Sequence, residues 1–131
     1  MLTKEGHITY WKREAERNWE TALYLKEGSQ RVMALFMLHL VIEKLLKARW
    51  VKDNIDNQPP PHTHDFQNLH NQTELDLPAE DYDYLAIVNQ WNIDTRYPDY
   101  KEKIYSVATE SYVTNQFEKI LKIKTCLLEK L

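Results

Sequence analysis

The sequence predicts an all-α domain: an up-and-down antiparallel bundle of four long helices plus one short helix. Apolar residues recur at three- and four-residue spacing through several long runs. Those runs are nearly free of helix breakers, because the chain has only two glycines and all five prolines fall between 59 and 98. Long stretches without either residue favour long helices over many short strands. At 131 residues there is room for a single domain over 1–131. Such a domain buries roughly two thirds of its unfolded surface, enough for a core without disulfides.

The first helix is expected over residues 5–27, with Trp11, Ala15, Trp19, Ala22 and Leu23 on its apolar face. Gly28 suits the left-handed conformation that ends a helix, and Ser29 suits the cap of the next. So short a connection makes the two helices antiparallel. Residues 30–53 are the most apolar stretch, running from Met33 through Leu46 to Ala48 with little polar surface before Glu43. That helix, about 35 Å long, is expected at the centre, contacted on several sides.

The pattern breaks over 54–62, where Pro59-Pro60-Pro61 favours an extended segment, expected to be mobile or partner-facing. A short helix is expected over about 65–72, capped by Thr63 or Asp65. Pro78 suits the first turn of the following helix, with Glu80 and Asp81 near its positive end and Tyr84, Leu85, Val88 and Trp91 on its buried stripe. Pro98 is expected to break the chain. The last helix is read over about 104–130, where Val113, Phe117, Ile120, Leu121, Leu127, Leu128 and Leu131 keep the spacing and Lys124 interrupts it.

Composition narrows the function classes. The net charge of −3 disfavours a broad, non-specific nucleic-acid surface, which normally needs a basic excess, while leaving room for a small basic pocket. The lone Cys126 can form no internal disulfide and lies among apolar residues, so it is read as a core thiol. Residues 1–5 lack the apolar run of a secretion signal, and no segment reaches the ~20 apolar residues that span a bilayer. The expected location is the cytoplasm, without membrane contact.

Several polar residues are candidates for chemistry. Lys44 and Lys47 share a face of the central helix and could hold phosphate, although such lysines commonly lie along apolar surface with their charges in solvent. Glu43 is placed to pair with Lys47 or with a cation from another helix. His62, His64 and His70 look at first like ligands, but nothing completes a tetrahedral site, so neither a metal nor a cofactor is expected. His64 and Asp65 instead suit the cap of the short helix. His39, inside an apolar run, reads as a satisfied core histidine. Arg96 is the most suggestive: at a helix end before Tyr97-Pro98, it could clamp phosphate while Tyr97 stacks on a base, or it could cap helix-end carbonyls and pair with Asp94 or Asp99.

Taken in order, Trp19 and Ala22 before Gly28, Ala34-Leu35-Phe36, Ile42-Glu43-Lys44-Leu45-Leu46-Lys47-Ala48, Thr63-His64-Asp65-Phe66 with Leu69, and Thr95-Arg96-Tyr97-Pro98 resemble the HEPN domain family over roughly residues 10–130. The branch resembled is the one whose members stand alone or beside a minimal nucleotidyltransferase. The resemblance implies a homodimer and a nucleotidyltransferase partner, in a toxin–antitoxin-like or defence-like system. HEPN ribonucleases carry an arginine, four to six other residues, then a histidine; here no histidine follows Arg96, and seven residues separate Arg31 from His39. Ribonuclease activity is therefore not carried over, and no catalytic residue is assigned. The expected function is nucleotide or phosphate binding by Lys47, His64, Arg96 and Tyr97. The alternatives are a degenerate metal-independent endoribonuclease using Arg96 with His64, and a dimeric interaction module with no small ligand.

Overall fold

The computed structural model describes residues 3–54 and 59–131 and contains six helices and, among those residues, no strand. They are α1 (Lys4–Glu27), α2 (Arg31–Asp53), α3 (Phe66–Asn71), α4 (Ala79–Asp94), α5 (Pro98–Val107) and α6 (Glu110–Glu129). The all-α bundle expected from the sequence is the fold observed. The long helices are α1, α2, α4 and α6; α3 and α5 lie in the connections.

Contacts between helix ends fix the directions. Lys4 Nζ at the start of α1 donates to the Asn54 carbonyl just past α2, so α1 and α2 are antiparallel. Glu16 lies 3.0 Å from Lys124, and Trp19 packs on Phe117, so α1 is also antiparallel to α6. Along α4, Tyr84 donates to Gln116 and Lys122 approaches Asp81, which sets α4 antiparallel to α6. The C-termini of α2 and α6 therefore lie together. There Arg49 and Lys52 both donate to the Lys130 carbonyl, at 2.9 Å each, where the end of α6 is negative. Lys124, the interruption in the apolar stripe of α6, is buried, with its ammonium 5.0 Å from the centre of the Trp19 ring.

The hydrophobic core centres on α2, which contributes Val32, Ala34, Leu35, Leu38, Val41, Ile42, Leu45, Leu46, Ala48 and Val51; Lys52 is its one exposed residue. The expectation of a central helix contacted on several sides holds. Cys126 is half-buried at the edge of the core.

Three local readings need correction. The left-handed residue after α1 is Ser29 (φ 61°), while Gly28 has φ −82°. Gln30 N–H donates to Leu25 O and Ser29 N–H to Lys26 O, the paired bonds of a Schellman turn with serine where glycine is usual. Ser29 consequently does not cap α2, whose N-cap is Gln30. Next, Pro98 does not simply break the chain. It opens α5 at the first turn, where its missing N–H costs nothing. Finally, the helix read over 104–130 is two helices. Ala108 (φ −78°, ψ 61°) has the geometry of an inverse γ-turn, closed by Thr109 N–H to Val107 O at 2.8 Å. Thr109 then caps α6 by accepting from Tyr112 N–H.

The cap of α3 is Asp65, accepting from Asn68 N–H, and Thr63 Oγ1 supports it by accepting from Asp65 N–H. Pro78 is the residue just before α4. Of the extended segment read over 54–62, residues 55–58 lie outside the described residues; Pro60 is buried.

Two substitutions test the turns. Ser29→Gly removes a left-handed penalty of about 1 kcal/mol, partly offset by the flexibility of glycine in the unfolded chain. The expected result is a gain of about 0.5 kcal/mol. Thr109→Ala removes a helix cap and should lower stability by about 1 kcal/mol. Denaturant unfolding of both variants measures the two effects.

Candidate functional site

Phe36, His39, Glu43 and Lys47 recur at three- and four-residue spacing, so they line one face of α2. It carries His39 and Glu43, the buried polar residues of that helix. α3 and the segment before it cover the middle, α1 borders one end, and the α4–α5 corner borders the other.

At the middle, the His39 ring is buried and stacks on Phe66 at 4.7 Å between centroids. Its Nδ1 lies 3.0 Å from the Val88 carbonyl. A carbonyl can only accept, so Nδ1 carries the proton and Nε2 keeps its lone pair in the neutral ring. Burial lowers the His39 pKa; the Val88 bond and Glu43 oppose that shift, while His64 and Arg96 add to it. His39 is thus the satisfied core histidine expected from its surroundings.

One turn on, Glu43 is buried, with Lys47 Nζ 3.4 Å and His64 Nδ1 3.8 Å from its Oε1. The Lys47 pairing weighed from the sequence occurs; the second neighbour comes from the segment before α3 and not from a cation on another helix. The Lys47 ammonium also lies 5.4 Å from the centre of the Trp11 ring on α1. His64 remains exposed, with 71% of its side-chain surface accessible. It is therefore held beside Glu43 and takes no part in the cap that Asp65 provides for α3. Lys44 turns toward α1: burial lowers its pKa, and the carboxylates of Glu14 and Glu43 oppose the shift.

The other end of the face belongs to Arg96. Its Nε donates to the Asn92 carbonyl at 3.0 Å and its Nη2 to Asn92 Oδ1 at 2.7 Å. The guanidinium lies 5.3 Å from the Phe36 ring centre and 5.8 Å from that of Tyr97. Capping of the helix end, one of the two roles weighed for this arginine, is therefore real. Its partner is Asn92, and among the described residues no carboxylate lies within 4.0 Å of it. Arg96 and Tyr97 are both exposed, so the remaining N–H donors and the phenol ring face outward.

The four candidate residues thus fall into two pairs. Lys47 and His64 meet at Glu43, and the Arg96 guanidinium lies near both the Phe36 and the Tyr97 rings. Phe36 and Lys47 are eleven residues apart, about 16 Å along the helix axis. Phe36, His39, Glu43 and Asn92 are the residues of this face absent from the four candidates. The spacing 36-39-43-47 was the available signal for the α2 members, and the four-residue spacing to Arg96 was the signal for Asn92. His70 of α3 is buried against Tyr82, far in role from a ligand. Among the described residues no three His, Cys, Asp or Glu side chains stand close enough to hold a metal ion, and no helix is long and apolar enough to cross a membrane.

His39 gives this face a pH signature. With its folded pKa below the unfolded value near 6.5, it contributes stability that is complete above that pH. The contribution is lost as pH falls from there through the folded pKa. His39→Asn retains an N–H donor near the Nδ1 position but does not titrate. Its unfolding free energy, followed by urea denaturation from pH 7.5 to 4.5, should fall less steeply below pH 6.5 than that of the unsubstituted protein.

Comparison with known proteins gives concordant results. The family model described as the HEPN domain matches residues 8–130. Among solved structures, the crystal structure of TT1696 from Thermus thermophilus superposes with a TM-score of 0.78, covering 95% of this chain and 98% of that one. At 20% identity that likeness concerns the fold alone. No curated protein matches.

Proposed function

The chain belongs to the HEPN domain family, and from that premise we propose that it is a nucleotide- or phosphate-binding accessory domain and not a ribonuclease. The observation that carries this reading is the preorganised Arg96. Two hydrogen bonds to Asn92 and the flanking Phe36 and Tyr97 rings fix the guanidinium, while its other donors face solvent. An arginine held in this way loses little freedom on binding, and its planar fork matches two phosphate oxygens. Tyr97 stands beside it with an exposed ring for a base or sugar.

Lys47 supplies a second positive charge on the same face, with the His64 ring nearby, though Glu43 between them offsets part of that charge. A ligand that reaches both ends must be longer than a single phosphate, which favours a nucleoside triphosphate over inorganic phosphate. The nearest histidine to a ribonuclease arrangement is His39, whose ring is only 1% exposed and is occupied by Val88. With the residue buried, its free Nε2 is out of reach of an RNA hydroxyl. The protein working beside this domain would be a minimal nucleotidyltransferase, whose substrate or modified product the anion-binding face receives.

A homodimer belongs to the same proposal. Its support is the set of apolar residues left exposed on the outer helices, since α2 is wrapped within one chain. Tyr24 on α1 is 78% exposed, and Ile87, Tyr100, Tyr105 and Val107 lie on α4 and α5. Sedimentation at micromolar concentration should give a dimer; a monomer throughout would remove this part.

Titration calorimetry in low salt should give modest, salt-sensitive binding of ATP or GTP, stronger than of the monophosphates. Arg96→Ala should weaken it by about 1.5–3 kcal/mol, the loss of a charged hydrogen bond. No binding at millimolar nucleotide, or binding indifferent to Arg96→Ala, would leave the arginine as a cap alone. Structured and single-stranded RNA should survive incubation; cleavage abolished by both His64→Ala and Arg96→Ala would establish the endoribonuclease instead.

A further inference from the structure

Among the described residues of α5 only Ile104 is buried, while Tyr100, Tyr105 and Val107 stay exposed. A helix of ten residues is marginal on its own and depends on what its apolar face packs against. That face is only partly met. Tyr100, Lys103, Ile104 and Val107 recur at three- and four-residue spacing along α5, and Ile87 and Asp94 share one face of α4. All six border one open hollow of about 540 Å³. Ile87, Tyr100 and Val107 are each roughly half exposed there, so an apolar patch spans both helices.

The border of this patch carries one charge of each sign. Asp94 is the last residue of α4, and Lys103 is exposed in the middle of α5. Among the described residues neither has an opposite charge within 4.0 Å. One unpaired acid and one unpaired base beside a shared apolar patch make a self-complementary surface. A twofold axis passing between them sets the acid of each copy against the base of the other, and two ion pairs then flank one apolar contact.

We propose that a second copy of this chain covers the α4–α5 face across a twofold axis, with Asp94 of each copy meeting the partner's Lys103. Burial of Ile87, Tyr100 and Val107 supplies the affinity, as apolar and aromatic side chains do at the centre of an interface. The two ion pairs lie at the edge, where charges fix register and choice of partner more than strength. The inference rests on the homodimer reading above and deepens it: of the exposed apolar regions, it assigns the contact to α4 and α5 and not to Tyr24 on α1.

Sedimentation of the whole protein, unsubstituted and in charge-reversed forms, is the test. Asp94→Lys sets lysine against lysine across the axis, and Lys103→Asp sets carboxylate against carboxylate. Each variant alone should dimerise at least tenfold more weakly. Mixed in equal amounts, the two should recover a heterodimer, because every lysine then faces a carboxylate. The variant carrying both reversals should recover the homodimer. Ile87→Lys should weaken pairing at least tenfold with the helical circular dichroism unchanged, and Tyr24→Ser should leave it within about twofold. A monomer at every micromolar concentration removes the homodimer and this inference with it. A dimer that tolerates both single reversals or Ile87→Lys, or that is lost with Tyr24→Ser, overturns the assigned face and leaves the homodimer standing. Failure of both the mixture and the double variant to recover pairing overturns the contact between Asp94 and the partner's Lys103.

Discussion

A helix with almost no solvent-facing side must find an interior partner for every polar group it carries. α2 is such a helix, and the rest of the molecule follows from that constraint. Its apolar residues draw α1, α4 and α6 around it. Its two interior polar residues, His39 and Glu43, then dictate what must stand beside them. His39 requires a backbone acceptor, found at Val88 of α4, and Glu43 requires polar partners, found in the Lys47 ammonium and the His64 ring. Breaking either set would leave a buried group unpaired, so these contacts fix the register of α4 and of the segment before α3 against α2.

The functional face is a by-product of the same requirement. The polar groups that satisfy α2 from outside, His64 and the Arg96 corner, are the ones that reach the surface. Arg96 is at once a cap for α4, a cover for Phe36 and an open set of donors. Capping and ligand binding are compatible here because the cap uses the inner edge of the guanidinium and leaves the outer edge exposed.

How much of this was legible from the sequence varies with the physics involved. The four long helices follow from apolar spacing, and the satisfied His39 follows from its surroundings. The Ala108–Thr109 break carries no glycine or proline, so periodicity runs straight through it; only Thr109 as a cap marked it. Gly28 was a reasonable place for the left-handed residue, but the turn closed one position later, where two backbone bonds outweigh the strain at Ser29. The division of the site into two pairs was not legible, because it depends on where other elements meet α2. Membership of one face could be counted from 36-39-43-47. Asn92 stands four residues before Arg96, a spacing equally open to counting, whereas the seating of Arg96 over Phe36 arises only once α4 and α2 are assembled.

The turn over residues 28–30 has a kinetic consequence. Joining α1 to α2 through so short a connection makes their pairing a local event, with little loop-closure entropy to overcome. The hairpin can form early, but it covers only one side of α2. The sides destined for α4 and α6 stay bare until residues far along the chain arrive, leaving a long apolar surface open to other molecules in the meantime. The stage between hairpin closure and docking of α6 is accordingly where this chain is most prone to self-association, and slow synthesis or truncation before α6 would prolong it.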